Sequence, residues 1–209
     1  IENEKIISGN IVYEYSCKLI EPEHFLLEFN DISVQEKANK DNYYKANFDQ
    51  LTKLPNRNLF TDRCKQALVS AARHKESLAI CFIDVDSFKQ INDSYGHEVG
   101  DSILQETAQR LKVSLRESDT VSRWAGDEFC LLLPKITHKN NLDILIKRIL
   151  NNFNEPHMHN GNSINISISV GVSLSPELGE NFNQLIDYAD KAMYDAKKSK
   201  GASFSYYSY

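Results

Sequence analysis

"DTVSRWAGDEFCLLLP", residues 119–134, decides the fold class. Two stretches of β-forming residues flank a small-residue pair, Ala125-Gly126, which is followed at once by Asp127 and Glu128. That pattern reads as a tight antiparallel hairpin. A hairpin between consecutive strands argues against a purely parallel, doubly wound sheet, whose strands are joined by long crossovers. Its charged tip is either a solvated turn or a set of acids held for a ligand.

Upstream, "SLAICFIDVD" (77–86) is a short, continuous apolar run ending in two acids. It predicts a buried strand with carboxylates at its C-terminal edge. "LPNRNLF" (54–60) gives a Pro-Asn turn and then a helix whose apolar face includes Phe60, Cys64, Leu68 and Ala71. "HEVGDSILQETAQRLKVSL" (97–115) is amphipathic through Ile103, Leu104, Ala108, Leu111 and Leu115. Beyond the hairpin the order is a helix over about 139–153, a strand "INISISVGVSL" (164–174), a helix over about 182–199 and a final "SFSYYSY" (203–209). An α+β, ferredoxin-like arrangement follows, with a mixed, mostly antiparallel sheet and helices packed on it.

The N-terminal part differs. "NIVYEYSCKLI" (10–20) and "HFLLEFNDIS" (24–33) read as two strands, and two strands alone are marginal in water. Residues 33–49 are polar and helix-compatible, with a weak apolar seam through Val34, Ala38, Phe48 and Leu51. They read as a helical connector able to pair with a second copy of itself, and a solvated linker fits the pattern equally.

The bulk composition is that of a globular chain: 209 residues, 41% hydrophobic, 25% charged. A net charge of -5 and a pI of about 5.7 leave no basic surface for a nucleic-acid polymer. The four cysteines show no C-x-x-C pairing, so a reduced, cytoplasmic setting is expected. No apolar run reaches the ~20 residues that span a bilayer. The chain opens at Ile1, without a methionine, and reads as an excerpt, so an anchor elsewhere in a longer protein stays open.

If the strand ending at Asp84 lies beside the hairpin, carboxylates from Asp84, Asp86, Asp127 and Glu128 converge. Unpaired acids so close would repel and raise one another's pKa. A divalent cation removes the conflict, and Mg²⁺ is held by one or two carboxylates plus substrate phosphates.

Four motifs, "DQLTKLPNRNLF" (49–60), "FIDVDSFKQINDSYGHEVGD" (82–101), "RWAGDEFCLLLP" (123–134) and "ADKAMYDAK" (189–197), occur in the order and at the separations of the GGDEF family of diguanylate cyclases. The resemblance covers about residues 49–208 and implies a palm-type fold. It also implies condensation of two GTP into cyclic di-GMP with release of two pyrophosphates, by a homodimer whose protomers each present one GTP. By the resemblance, Asp84, Asp127 and the backbone carbonyl of Val85 are ligands for Mg²⁺, with Mn²⁺ as an alternative. Asp127 or Glu128 would assist deprotonation of the ribose 3'-hydroxyl, Asn92 and Asp101 would read guanine, and His97 lies in the same segment. Lys89 and Lys197 are phosphate candidates, and Ala125-Gly126 borders the nucleotide. Arg116 and Asp119 of "RESD" match the family's R-x-x-D site, where bound cyclic di-GMP inhibits.

Two positions depart from the family. Ala125 replaces the first glycine of the signature, and Gly201 falls where K-x-x-x-R would put its arginine. Lys198 or Lys200 could stand in as point charges only. An Ala-Gly pair suits a type II turn with the positive φ on Gly126. A catalytically impaired domain that binds GTP or cyclic di-GMP as a receptor is the alternative these departures imply. Residues 1–33 resemble the closing strands of a PAS-like sensor, 34–48 a signalling helix and 49–209 the cyclase domain.

Overall fold

The computed structural model describes residues 4–9, 11–22, 24–198 and 201–208. The predicted elements that reach Asn10, Ser199 and Tyr209 therefore run past the described residues at those ends. The chain divides into two compact units, Ile1–Ala46 and Asn47–Tyr209.

The first unit is an antiparallel meander of β1 (Glu4–Ser8), β2 (Ile11–Glu21) and β3 (His24–Asp31), followed by α1 (Ser33–Asn47). The sequence reading found β2 and β3, and β1 adds a third strand. Tyr15 and Phe29, paired across β2 and β3, stack at 5.9 Å between ring centroids. Helix α1 forms where expected but buries none of its side chains. Its first seam residue, Val34, is exposed.

The second unit contains α2 (Arg57–His74), β4 (Ser77–Val85), α3 (Phe88–Tyr95), α4 (His97–Val113), β5 (Thr120–Ala125), β6 (Glu128–Ile136), α5 (Lys139–Asn151), β7 (His157–His159), β8 (Asn162–Ile164), β9 (Ile168–Ser175), α6 (Phe182–Ala196) and β10 (Ser203–Tyr206). Five strands form one sheet in the order β10-β9-β4-β6-β5. Only the β10–β9 edge is parallel, so the sheet is mixed and mostly antiparallel, as predicted. Helix α2 is capped by the Asn56 side chain, which accepts from the backbone N–H of Asn58 and Leu59. It buries Phe60, Cys64, Leu68 and Ala71, the face its spacing gave. In α4 the predicted stripe is buried through Leu111, and Leu115 lies beyond the helix end, packed against the core.

Alternation sorts the side chains of the central strands onto two faces. Ala79, Cys81, Ile83 and Val85 of β4 join Phe129, Leu131 and Leu133 of β6 in the core under α4 and α5. Leu78, Ile80 and Phe82 join Cys130 and Leu132 in the core under α2 and α6. By the same parity Asp84 and Glu128 belong to the α2/α6 face.

On β9 that face carries only Ser169, Gly171, Ser173 and Ser175, while Ile168, Val170, Val172 and Leu174 point the other way. The small residues let α6 lie close. A Cβ built on Gly171 would sit 2.0 Å from the Ala189 carbonyl oxygen and 2.1 Å from the Met193 nitrogen. Both obstacles are backbone, so neither can swing away. Gly171→Ala is expected to cost about 3 kcal/mol through overpacking, read as a lower urea midpoint at an unchanged slope.

Burial also sets the thiol chemistry. Cys64, Cys81 and Cys130 are fully buried and Cys17 is partly exposed. Desolvation pushes Cys81 up to about 12 and raises Cys64 and Cys130 as well. A thiol-reactive disulfide reagent should therefore label Cys17 alone in native protein, and all four cysteines in denaturant.

Candidate active site

The neighbouring strands β4 and β6 put Asp84 directly opposite Glu128 in Cα register. Asp84 is only 8% exposed, while Asp127 and Glu128 are half-buried. From the end of α6, Lys197 extends its Nζ to within 2.7 Å of Asp84 Oδ1. Burial pushes the Asp84 carboxyl up; Lys197 pulls it back down, and the charges of Asp127 and Asp86 add to the rise. Glu128 is raised by burial first, then by Asp84, Asp127 and Asp190, with Lys197 opposing. Asp190 went unnoticed in the sequence, although it lies two helical turns before Lys197.

The hairpin loop is Gly126-Asp127, closed by the pair Ala125↔Glu128. Gly126 has φ 52°, and Asp127 is not among the positive-φ residues. The positive φ thus falls on the first central residue, the position a type II′ hairpin gives to glycine. This corrects the type II turn expected from the sequence: Ala125 is the last paired residue of β5, one step outside the loop. A register shift between Arg123 and Ala125 leaves Trp124 bulged, and bulges re-aim side chains beside functional sites. Trp124 packs on Phe60, Phe82 and Phe182, with the Arg57 guanidinium 4.3 Å from its ring centroid.

Arg123 anchors the tip. It donates from Nε to the Gly126 carbonyl at 2.8 Å and pairs with Asp49 at 3.1 Å. Asp49 also accepts from the Thr52 backbone N–H and hydroxyl, both at 2.7 Å. Val85 N–H donates to the Asp127 carbonyl at 3.2 Å, tying the loop to β4. None of these positioning contacts was evident from the motif spacing.

Asp86 leaves the expected acidic group. Its two oxygens accept from Ser167 Oγ and Ser169 Oγ, each at 2.7 Å, which makes it a structural acceptor. Among the described residues, no three His, Cys, Asp or Glu side chains enclose a metal position. The donors are open instead: two apposed carboxylates, a loop carboxylate and nearby backbone oxygens. That set fits a hard dication such as Mg²⁺, which takes few protein ligands and completes its shell with water and phosphate oxygens.

The segment after β4 forms α3, which the sequence reading left unassigned although Phe88 and Ile91 sit one helical turn apart. Asn92 on α3 has a buried Oδ1 with no hydrogen-bond partner. A Cβ on Gly100 would lie 1.9 Å from that oxygen, so glycine is what gives the Asn92 amide its room. Asp101 follows Gly100 on α4 and is exposed, as are His97 in the first turn of α4 and Lys89 on α3. A buried acceptor without a protein partner thus lies one helix away from an exposed acid, and such an acceptor calls for an explanation.

Lys198 is engaged by Asp195 at 2.6 Å, and Lys200 lies outside the described residues. Gly201 has φ 85°, a conformation that disfavours the arginine of the family pattern.

Arg116 and Asp119 close a turn on themselves: Asp119 Oδ2 accepts from Arg116 N at 2.9 Å, and Asp119 N donates back to the Arg116 carbonyl at 3.0 Å. They line a cavity of ≈ 370 Å³ with Lys53, Arg63, Lys112 and Glu117, so four cations face two acids there.

Comparison with known proteins agrees with this geometry. A family profile described as "Diguanylate cyclase, GGDEF domain" matches residues 46–203. The chain is 39% identical over 161 residues to diguanylate cyclase TpbB of Pseudomonas aeruginosa, covering 77% of this chain and 37% of that protein. It is 40% identical over 152 residues to cyclic di-GMP phosphodiesterase NbdA of the same species, covering 73% of this chain and 19% of the relative. The chain thus spans well under half the length of these two relatives. The crystal structure of the GGDEF domain of TpbB (YfiN) from Pseudomonas aeruginosa aligns with a TM-score of 0.74 at 38% identity, over 76% of this chain and 99% of that one. With its carboxylate hairpin in this fold and more than half its length matched, the chain belongs to the GGDEF family of diguanylate cyclase domains.

Proposed function

We propose that the chain is the catalytic part of a diguanylate cyclase that joins two GTP into cyclic di-GMP. The observation that carries this reading is the pairing of Asp84 with Glu128 on one sheet face, with Lys197 at 2.7 Å from Asp84. In each condensation a ribose 3'-oxygen bonds to the α-phosphorus of the other GTP. The α–β phosphoanhydride bond breaks, pyrophosphate leaves, and the hydroxyl proton passes to a carboxylate.

Diguanylate cyclases use a divalent metal ion, and Mg²⁺ is proposed here, with Mn²⁺ as a substitute. Asp84, Asp127 and the Val85 carbonyl would hold it, and when bound it acidifies the 3'-hydroxyl and offsets phosphate charge. Glu128, its pKa raised by burial and by neighbouring acids, is a suitable proton acceptor, with Asp127 as the other candidate. Lys197 is poised to exchange its contact with Asp84 for a phosphate oxygen. Lys89 on α3 and His97 on α4, both exposed, would contact the same substrate, and Ala125-Gly126 would border it. Asn92 and Asp101 would select guanine, because a buried amide left unpaired by the wrong base costs ~1–3 kcal/mol.

Two GTP must face each other, so the working unit is a homodimer. Helix α1, with no buried side chain of its own, is the proposed signalling helix (34–48), which follows PAS-like closing strands (1–33) and precedes the cyclase domain (49–209) in the chain. A cytoplasmic location suits both GTP and the reduced thiols. No described helix is long and apolar enough to cross a membrane.

Asp84→Asn and Asp127→Asn should each lower cyclic di-GMP formation by about 100-fold or more while leaving the melting temperature near that of wild type. Chromatography of a GTP and Mg²⁺ reaction measures this. Ala125 and Gly201 favour the second reading, a receptor that binds GTP or cyclic di-GMP without turnover. Tight GTP binding by a verified dimer that makes no product would establish the receptor and dismiss the cyclase.

The cation-rich cavity at Arg116 and Asp119 is proposed as the product-inhibition site, since Arg can clamp phosphate and guanine together. Arg116→Ala should weaken cyclic di-GMP binding by about tenfold or more, the loss of a charge-assisted contact. Calorimetry reads the affinity, and initial rates should stay near wild type while product inhibition fades.

A further inference from the structure

A second cluster of coordinating atoms lies where the β7–β8 hairpin meets α4, away from the carboxylates at the sheet edge. Asn160 and Gly161 both have positive φ, 48° and 82°, the pattern of a two-residue type I′ turn. The turn fixes the register His157↔Ile164 and His159↔Asn162. His157 and His159, two residues apart on one strand, therefore share a face. Ile164, opposite His157, is buried while Met158 is exposed, so the histidines occupy the inner face. There Ser102 of α4 meets both rings. Its Oγ lies 2.9 Å from His157 Nε2 and 3.1 Å from His159 Nδ1.

We propose that His157, His159 and Ser102 form a binding site for a borderline transition-metal dication of the Zn²⁺, Ni²⁺ or Cu²⁺ class, with water completing the coordination. Imidazole suits these ions, whereas the oxygen donors at Asp84 and Asp127 suit Mg²⁺, so the two sites sort ions by ligand chemistry. Bonds of ~2.0–2.2 Å to a tetrahedral ion place its ligands roughly 3.4 Å apart. The hydroxyl-to-nitrogen separations are already close to that edge. Burial pulls the His157 pKa down, the Glu106 carboxylate opposes, and His159 and Arg110 add to the fall.

The Ser102–His157 distance alone would also suit a nucleophile and its base. A second ring shares that hydroxyl, however, and among the described residues no hydrogen-bond partner orients the other nitrogen of His157. Metal chelation uses both histidines; acyl transfer would use one. With two imidazoles and a hydroxyl as its protein donors the site is open, and its ion exchangeable rather than structural. Ser102 follows Asp101 directly, so a bound ion would tie the hairpin to the helix that carries the proposed guanine reader.

The test uses the whole chain without an affinity tag, in a Cys17→Ser background that removes the accessible thiol, and with Asp84→Asn to weaken the acidic site. Zn²⁺ is titrated by calorimetry, and Cu²⁺ is followed by electron paramagnetic resonance. The expected result is one Zn²⁺ per chain and a Cu²⁺ spectrum showing coupling to two nitrogens. His157→Asn with His159→Asn should weaken Zn²⁺ binding by roughly tenfold or more and remove the coupling, with unchanged melting of the metal-free protein. Ser102→Ala should weaken binding but keep the two-nitrogen signal. No saturable Zn²⁺ binding, or an affinity unchanged by the paired histidine substitution, overturns the proposal.

Discussion

The geometry of the acidic site rests on how closely α6 lies against β9 and β4. Gly171 and its small neighbours on β9 remove the side-chain layer that would hold the helix off. With that layer gone, the last residue of the helix cap, Lys197, comes within 2.7 Å of Asp84. One glycine with no chemistry of its own thus determines where the cation of the site sits. A helix raised by a methyl group would carry Lys197 with it, because the obstacle is backbone and the helix moves as a unit.

Electrostatics completes what packing begins. Asp84, Asp127, Glu128 and Asp190 bear on one another at the sheet edge, and the neighbouring cation among them is Lys197. Burial and mutual repulsion raise the Asp84 and Glu128 carboxyls, so this edge holds more negative charge than it can comfortably ionise. The proposed dication, bound with substrate phosphates, would relieve the excess and leave Lys197 to turn to the phosphates. Asp86, hydrogen-bonded to two serine hydroxyls, adds its charge to the rise at Asp84 and fastens the end of β4 to the strand beside it.

The strand and the hairpin were legible because each is an apolar run with acids beside it, "SLAICFIDVD" continuous and the hairpin marked by its small-residue turn. That Asp84 and Glu128 share one sheet face followed only from the register of β4 against β6. The helix faces of α2 and α4 followed from their 3.6-residue spacing. What escaped were contacts between residues far apart in the chain. Arg123 to Asp49, Gly171 to Ala189 and Asn92 over Gly100 depend on how whole elements dock, which no local pattern encodes. The β7–β8 hairpin is different, since Asn160-Gly161 is a strong local turn signal that longer apolar runs on either side obscured.

Ala125 can now be weighed by its backbone. Had the signature's first residue carried the positive φ, an alanine there would store ~1–2 kcal/mol of strain. Gly126 carries it instead, and Ala125 sits in paired strand opposite Glu128 with an exposed side chain. The loop keeps its shape because Arg123 grips the Gly126 carbonyl from below, whatever stands at position 125. The substitution therefore adds a methyl group at the rim of the site and leaves the carboxylates where β4 and β6 put them. In the proposed site its effect would fall on the fit of a nucleotide against the hairpin, and the fold of the hairpin itself is unaffected.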